Sequence, residues 1–113
     1  MSASQPIAPL PPKSVAHNRR ISPKARVDLD AIWSFIAADS EKAADAMIEQ
    51  ITAAFAMLTD NPNAGRLRPE ISAAVRSFPV KRYLIFYVAE ASGIKIIRVL
   101  HGRQDRSRQD LAP

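Results

Sequence analysis

The chain predicts an α+β domain in the order β-α-α-β-β-β, with a helical hairpin packed on one face of a small, mainly antiparallel sheet. Two observations carry this reading. The first half holds two segments with apolar residues at helical spacing, separated by a two-residue break. The last third holds three strand-like runs with short breaks: Val75 to Val80, Tyr83 to Val88, and Ile94 to Leu100.

The chain of 113 residues fits one domain. Residues 1–16 contain Pro6, Pro9, Pro11 and Pro12 among small residues. Proline lacks an amide donor, so this segment reads as an extended tail, followed by the domain over residues 17–113. A short strand is expected from about His17 to Ile21. Ser22-Pro23 then reads as an N-cap followed by proline at the first helical position.

Ala25, Leu29, Ile32 and Ile36 form one helical stripe, widened by Trp33 and Phe35. Asp39-Ser40 interrupts it and offers a second cap. Met47, Ile51, Phe55 and Leu58 then line a second helix, joined by Ala44, Ile48 and Ala54, and Asn61-Pro62-Asn63-Ala64-Gly65 ends it. So short a break turns the helices back on each other. Arg66 to Ser72 reads as a polar loop, and Ala91-Ser92-Gly93 as the turn between the last two strands. The hairpin must bury its stripe, and the sheet is the available surface.

Composition sets limits on function. There are no cysteines, which excludes disulfides and thiolate chemistry and fits a reducing cytoplasm. No apolar run is long enough for a membrane span, and no signal peptide is expected. His17 and His101 are the only histidines, and no cluster has metal-ligand spacing, so neither a metal nor another cofactor is expected. The net charge of +5 favours anionic partners, nucleic acid or acidic protein.

The strand Tyr83 to Val88 is apolar at nearly every position, whereas a sheet with one wet face alternates. One face belongs to the helices. The other is covered by a partner or a terminal segment, or else by chain from the same molecule. Tyr83 and Tyr87 share parity and could stack on bases or serve as core aromatics. The last strand ends in His101-Gly102-Arg103-Gln104-Asp105. In an unbroken strand Arg98 shares a face with Ile96 and Leu100, opposite His101, and the two converge only through a bulge. Arg98 among apolar neighbours needs a carboxylate or carbonyls, and Asp105 is one candidate.

Val75-Arg76-Ser77-Phe78-Pro79-Val80 with Tyr83-Leu84-Ile85-Phe86-Tyr87, then Ile96-Ile97-Arg98-Val99-Leu100-His101-Gly102-Arg103-Gln104-Asp105, resembles the RelE/ParE superfamily of type II toxins, on the ParE side. Asp28 to Ile36 and Asn61 to Arg66 match the same family's helix and loop spacing, and the resemblance spans about residues 17 to 105. It implies a toxin that inhibits DNA gyrase without catalysis of its own and is neutralised by a cognate antitoxin. The alternative it leaves open is a ribosome-dependent mRNA endoribonuclease using Arg98, His101 and Lys81 or Arg82, with ribosome and mRNA as target. A third possibility is a non-toxic remnant that only binds antitoxin. Ribonuclease members place an arginine where this chain has Leu84, which favours the gyrase reading. The partner-facing candidates are Trp33, Phe35, Tyr83, Phe86, Tyr87 and Arg103.

Removing residues 1–15 deletes almost no helix or strand donors. The shortened chain is expected to melt at the same temperature as the full one by circular dichroism. Loss of cooperative unfolding would show that the tail packs as structure.

Overall fold

The computed structural model describes residues 18–103 and Leu111. The tail, His17 and Asp105 lie outside the described residues. The elements are β1 (Asn18–Ile21), α1 (Pro23–Ala37), α2 (Glu41–Asp60), β2 (Arg66–Leu67), β3 (Val75–Val80), β4 (Tyr83–Glu90) and β5 (Gly93–His101).

Both helices start where their caps predict. The Ser22 Oγ accepts the Ala25 N–H at 3.0 Å, with Pro23 opening α1. The Ser40 Oγ accepts the Ala43 N–H at 3.0 Å at the start of α2. Each satisfies an amide that the helix itself leaves without a partner. The helices pack as a hairpin, and the half-buried Trp33 ties them by donating its indole N–H to Asp45 at 2.8 Å.

The five strands form one sheet in the order β1-β5-β4-β3-β2. β1 runs parallel to β5, and the other pairs are antiparallel. The expected polar loop from Arg66 to Ser72 instead begins with the edge strand β2 and continues into a buried arginine. Arg68 donates to Ser77 Oγ at 3.0 Å and to Glu70 at 2.8 Å, and its guanidinium lies 5.8 Å from the Phe86 ring centroid. No apolar periodicity marks this stretch, because its buried residue is an arginine satisfied by partners that sequence spacing does not reveal.

The sheet carries a core on each face. On one, Ile51, Phe55 and Leu58 of α2 and Ile32 of α1 bury Ile85, Tyr87, Ile96 and Val99. On the other, Val75, Phe86, Val88, Ile97 and Leu100 pack with Ile71 and Leu111. The double-sided apolarity of β4 is therefore covered within the chain, including by a residue of its C-terminal segment.

A bulge makes these two faces possible. Arg98 pairs with Phe86 and Ile96 with Tyr87, so Ile97 is an extra residue on β5. The insertion reverses side-chain parity. Ile94 and Ile96 before it, and Val99 after it, all face the helices, while Ile97 and Leu100 face the second core. The bulge precedes Arg98, so it leaves the opposite parity of Arg98 and His101 unchanged.

Tyr87 anchors the chain that leaves α2. Its buried hydroxyl donates to Pro62 O at 2.7 Å and accepts the Gly65 N–H at 2.8 Å. Arg76 holds the same loop by donating to Gly65 O at 2.8 Å. A Cβ at Gly65 would sit 2.5 Å from the tyrosine oxygen and 2.9 Å from Ser77 O, so glycine is required by close approach. Burial raises the Tyr87 hydroxyl above its ordinary pKa of 10.0, although the Gly65 N–H and the nearby Arg76 charge oppose the shift.

Tyr87→Phe leaves a buried Gly65 N–H without its acceptor. The expected loss is about 1–3 kcal/mol in urea denaturation. Because the folded-state pKa is raised, wild-type stability is complete below pH 10.0 and falls as the pH rises from there through the higher folded-state value. Tyr87→Phe should lack this component of the alkaline loss, and identical alkaline profiles would refute the assignment.

Candidate functional site

β5 outruns its parallel neighbour. β1 stops pairing at Ile21 opposite Ile96, and among the described residues no strand lies beside the edge of β5 from Ile97 to His101. The start of α1 takes over that edge. Ser22 N–H donates to Ile96 O at 2.9 Å, and the Ser22 hydroxyl donates to Ile97 O at 2.7 Å. Asp28 then accepts the Val99 N–H at 2.9 Å.

Asp28 also fixes Arg98. The guanidinium donates through Nε to Oδ2 at 2.7 Å and through a terminal nitrogen to Oδ1 at 2.9 Å, a bidentate pair with both side chains largely buried. The pairing with Asp105 expected from sequence lies outside the described residues. A legible signal for the pair with Asp28 exists. Asp28 lies three residues after Ala25 and four before Ile32, on the core side of α1, where a carboxylate needs a partner.

A groove of about 310 Å³ opens beside this pair. Ala31, Ile32, Val99 and Leu100 contribute to its lining, together with Phe35 and the Tyr83–His101 pair. The Tyr83 and His101 rings meet edge to face, 5.4 Å between centroids and 85° between planes. Phe35 is 78% exposed, and Val27 two turns earlier on α1 is 66% exposed. A second concavity, lined by Lys24, Val27 and Arg98, shares Asp28 with the groove. A third, lined by Lys81, Arg82 and Arg103, shares Tyr83 and His101 with it.

The structure thus gathers part of the sequence-derived set. Phe35, Tyr83 and His101 meet at the groove, with Lys81, Arg82 and Arg103 at its end. Arg98 lies apart, held by Asp28. The His101 Nδ1 accepts the Arg103 N–H at 3.1 Å, so the ring is used in closing the turn. Phe86 and Tyr87 are both 0% exposed, so neither side chain is presented to a partner in this conformation. Trp33 is engaged with Asp45 between the helices. Leu84 is half-buried against the second core. Val27 and Asp28, which sequence reasoning passed over, belong to the site.

Comparison with known proteins agrees with this architecture. The family described as "ParE toxin of type II toxin-antitoxin system, parDE" matches residues 19–106. Toxin ParE3 of Caulobacter vibrioides is 29% identical over 83 residues, which cover 73% of this chain and 83% of that protein. A solved structure described as the chromosomal ParDE TA system from P. aeruginosa aligns with a TM-score of 0.64 at 22% identity, covering 74% of this chain and 94% of that one. The chain belongs to the ParE toxin family of type II toxin-antitoxin systems, within the RelE/ParE superfamily.

The Asp28–Arg98 pair makes a graded prediction. Asp28→Ala removes both guanidinium bonds and the Val99 acceptor, and is expected to cost about 3–5 kcal/mol. Asp28→Asn retains an oxygen for Val99 and should cost distinctly less. Equal midpoints for Asp28→Ala and wild type in urea would show that the pair contributes nothing.

Proposed function

We propose that this ParE-type toxin inhibits DNA gyrase by trapping it on cleaved DNA, without catalysis of its own, and that a cognate antitoxin neutralises it in the cytoplasm by docking along α1. The commitment of Arg98 to Asp28 is the observation that carries the choice of target. Ribosome-dependent mRNA cleavage would use Arg98 to hold charge on a phosphate, together with an acid and a base. Arg98 instead makes a bidentate pair on the side of α1, and the His101 Nδ1 is occupied by a backbone amide.

The docking part rests on α1. Val27 and Phe35 are large apolar side chains of α1 left in water, and Phe35 lines an apolar groove. Such a patch gains most from an amphipathic segment that buries its own apolar side chains there. Lys24 near one end favours an acidic residue at that end of the segment.

Purified toxin is expected to inhibit gyrase supercoiling and accumulate cleaved DNA, with no cuts in ribosome-bound mRNA. His101→Ala, if folded, should keep this activity. Codon-dependent mRNA cleavage by the wild type, reduced ~100-fold or more in His101→Ala, would overturn the gyrase reading and establish the ribonuclease.

Phe35→Ala is expected to weaken antitoxin binding by about 30-fold or more, the size of an interface hot spot, with an unchanged melting temperature. Unaltered affinity by calorimetry would remove the groove from the antitoxin interface.

A further inference from the structure

The turn between β3 and β4 meets the end of β5 at one end of the sheet. Val80 pairs with Tyr83, so Lys81 and Arg82 form a two-residue turn. Tyr83 pairs with His101, and the Gly102 N–H donates to Arg82 O at 2.8 Å. This bond fastens the outgoing chain to the turn. It brings Lys81, Arg82 and Arg103 around a concavity of about 510 Å³. Among the described residues lining it, none is a carboxylate.

Two physical features set this concavity apart. Three cations converge there, and a concave site with low-dielectric walls concentrates their potential. Lys81 also adopts φ 55°, in the left-handed region that asparagine or glycine occupies at lower cost. Local chemistry does not favour lysine at this turn position, so its charge is the property that explains its presence.

We propose that this concavity binds the phosphodiester backbone of a nucleic acid, as a positioning contact that reads no sequence and cuts no strand. A protein partner would need an apolar anchor. The large apolar side chains most exposed among the described residues, Val27, Phe35 and Leu67, all lie outside this lining. Tyr83 and Leu84 in the lining are already half-buried, and converging cations suit phosphate, whose contacts are charge-assisted hydrogen bonds. The contact goes beyond the gyrase reading, because it is measurable without gyrase or ribosome.

The test titrates the full chain against a labelled single-stranded oligodeoxynucleotide, the matching oligoribonucleotide and an acidic peptide, by fluorescence anisotropy over a range of salt. One triple variant carries Lys81→Gln, Arg82→Gln and Arg103→Gln. Its control carries Arg26→Gln, Lys42→Gln and Arg66→Gln at other exposed positions, and both remove three charges from +5. The site triple should weaken oligonucleotide binding ~10-fold or more at low salt and flatten the log–log salt slope by ~2, as expected for three lost phosphate contacts to a single strand. The control triple should change affinity by less than about threefold. The ratio of deoxyribo- to ribo-oligonucleotide affinity then identifies the source of the phosphodiester.

Equal losses in the two triples would reduce the effect to net charge and overturn the proposal. Tighter binding of the acidic peptide than of either oligonucleotide would overturn it as well. If the site triple fails to fold, Arg103→Glu at its exposed position gives the same reading alone. Loss of oligonucleotide binding supports the proposal whether or not gyrase is inhibited, so the two readings fail separately.

Discussion

The exposed edge of β5 is the constraint around which this domain is organised. β5 is the longest strand, and it runs past the end of β1 while remaining inside the sheet. Backbone amides and carbonyls on a half-buried edge must be paired. Ser22 and Asp28 meet that need from α1, one by bonding the carbonyls at and before the bulge and the other by accepting the Val99 N–H. The same Ser22 oxygen caps α1, so one hydroxyl fixes both where the helix begins and how it lies against the strand. The bulge, the helix position and the Arg98 pair form one connected arrangement.

That arrangement shapes what the surface can do. With Arg98 held by Asp28, the charged end of the sheet is formed by residues of turns and strand ends, and β5 contributes mainly apolar lining to the groove. Phe35 and Val27 remain in water while Ala25 and Ile32 are the buried residues of α1. Apolar and cationic surfaces therefore adjoin at Tyr83 and His101 without mixing. Two kinds of partner, an amphipathic protein segment and a polyanion, suit these two surfaces.

The opposite face of the sheet follows a different logic. Arg68 is buried there against Phe86, satisfied by Ser77 and by Glu70. Glu70 lies below its ordinary pKa, first through a backbone hydrogen bond and then through Arg68. A buried arginine in this position lets a polar connection cover an apolar strand. Together with Ile71 and Leu111 it encloses Phe86, which explains why β4 is apolar on both faces without any second protein.

The sequence by itself determined the helix starts, the hairpin, the three long strands and the family, because caps, periodicity and turn residues act over a few positions and leave local marks. Ser22, Ser40 and the stripes ending in Ile36 and Leu58 were legible for that reason. Phe35 and Tyr83 could be named as candidates from their excess over the main stripe and from strand parity. Only the tertiary structure decided which carboxylate holds Arg98, since Asp28 is 70 residues away in the chain and nothing in the local pattern of β5 points to it. It also decided the fates of Tyr87, Phe86 and Arg68, whose burial depends on loops and a terminal residue folding over them. Pairing across the sheet and burial by distant chain are long-range properties, set by which surfaces meet once the local elements have formed.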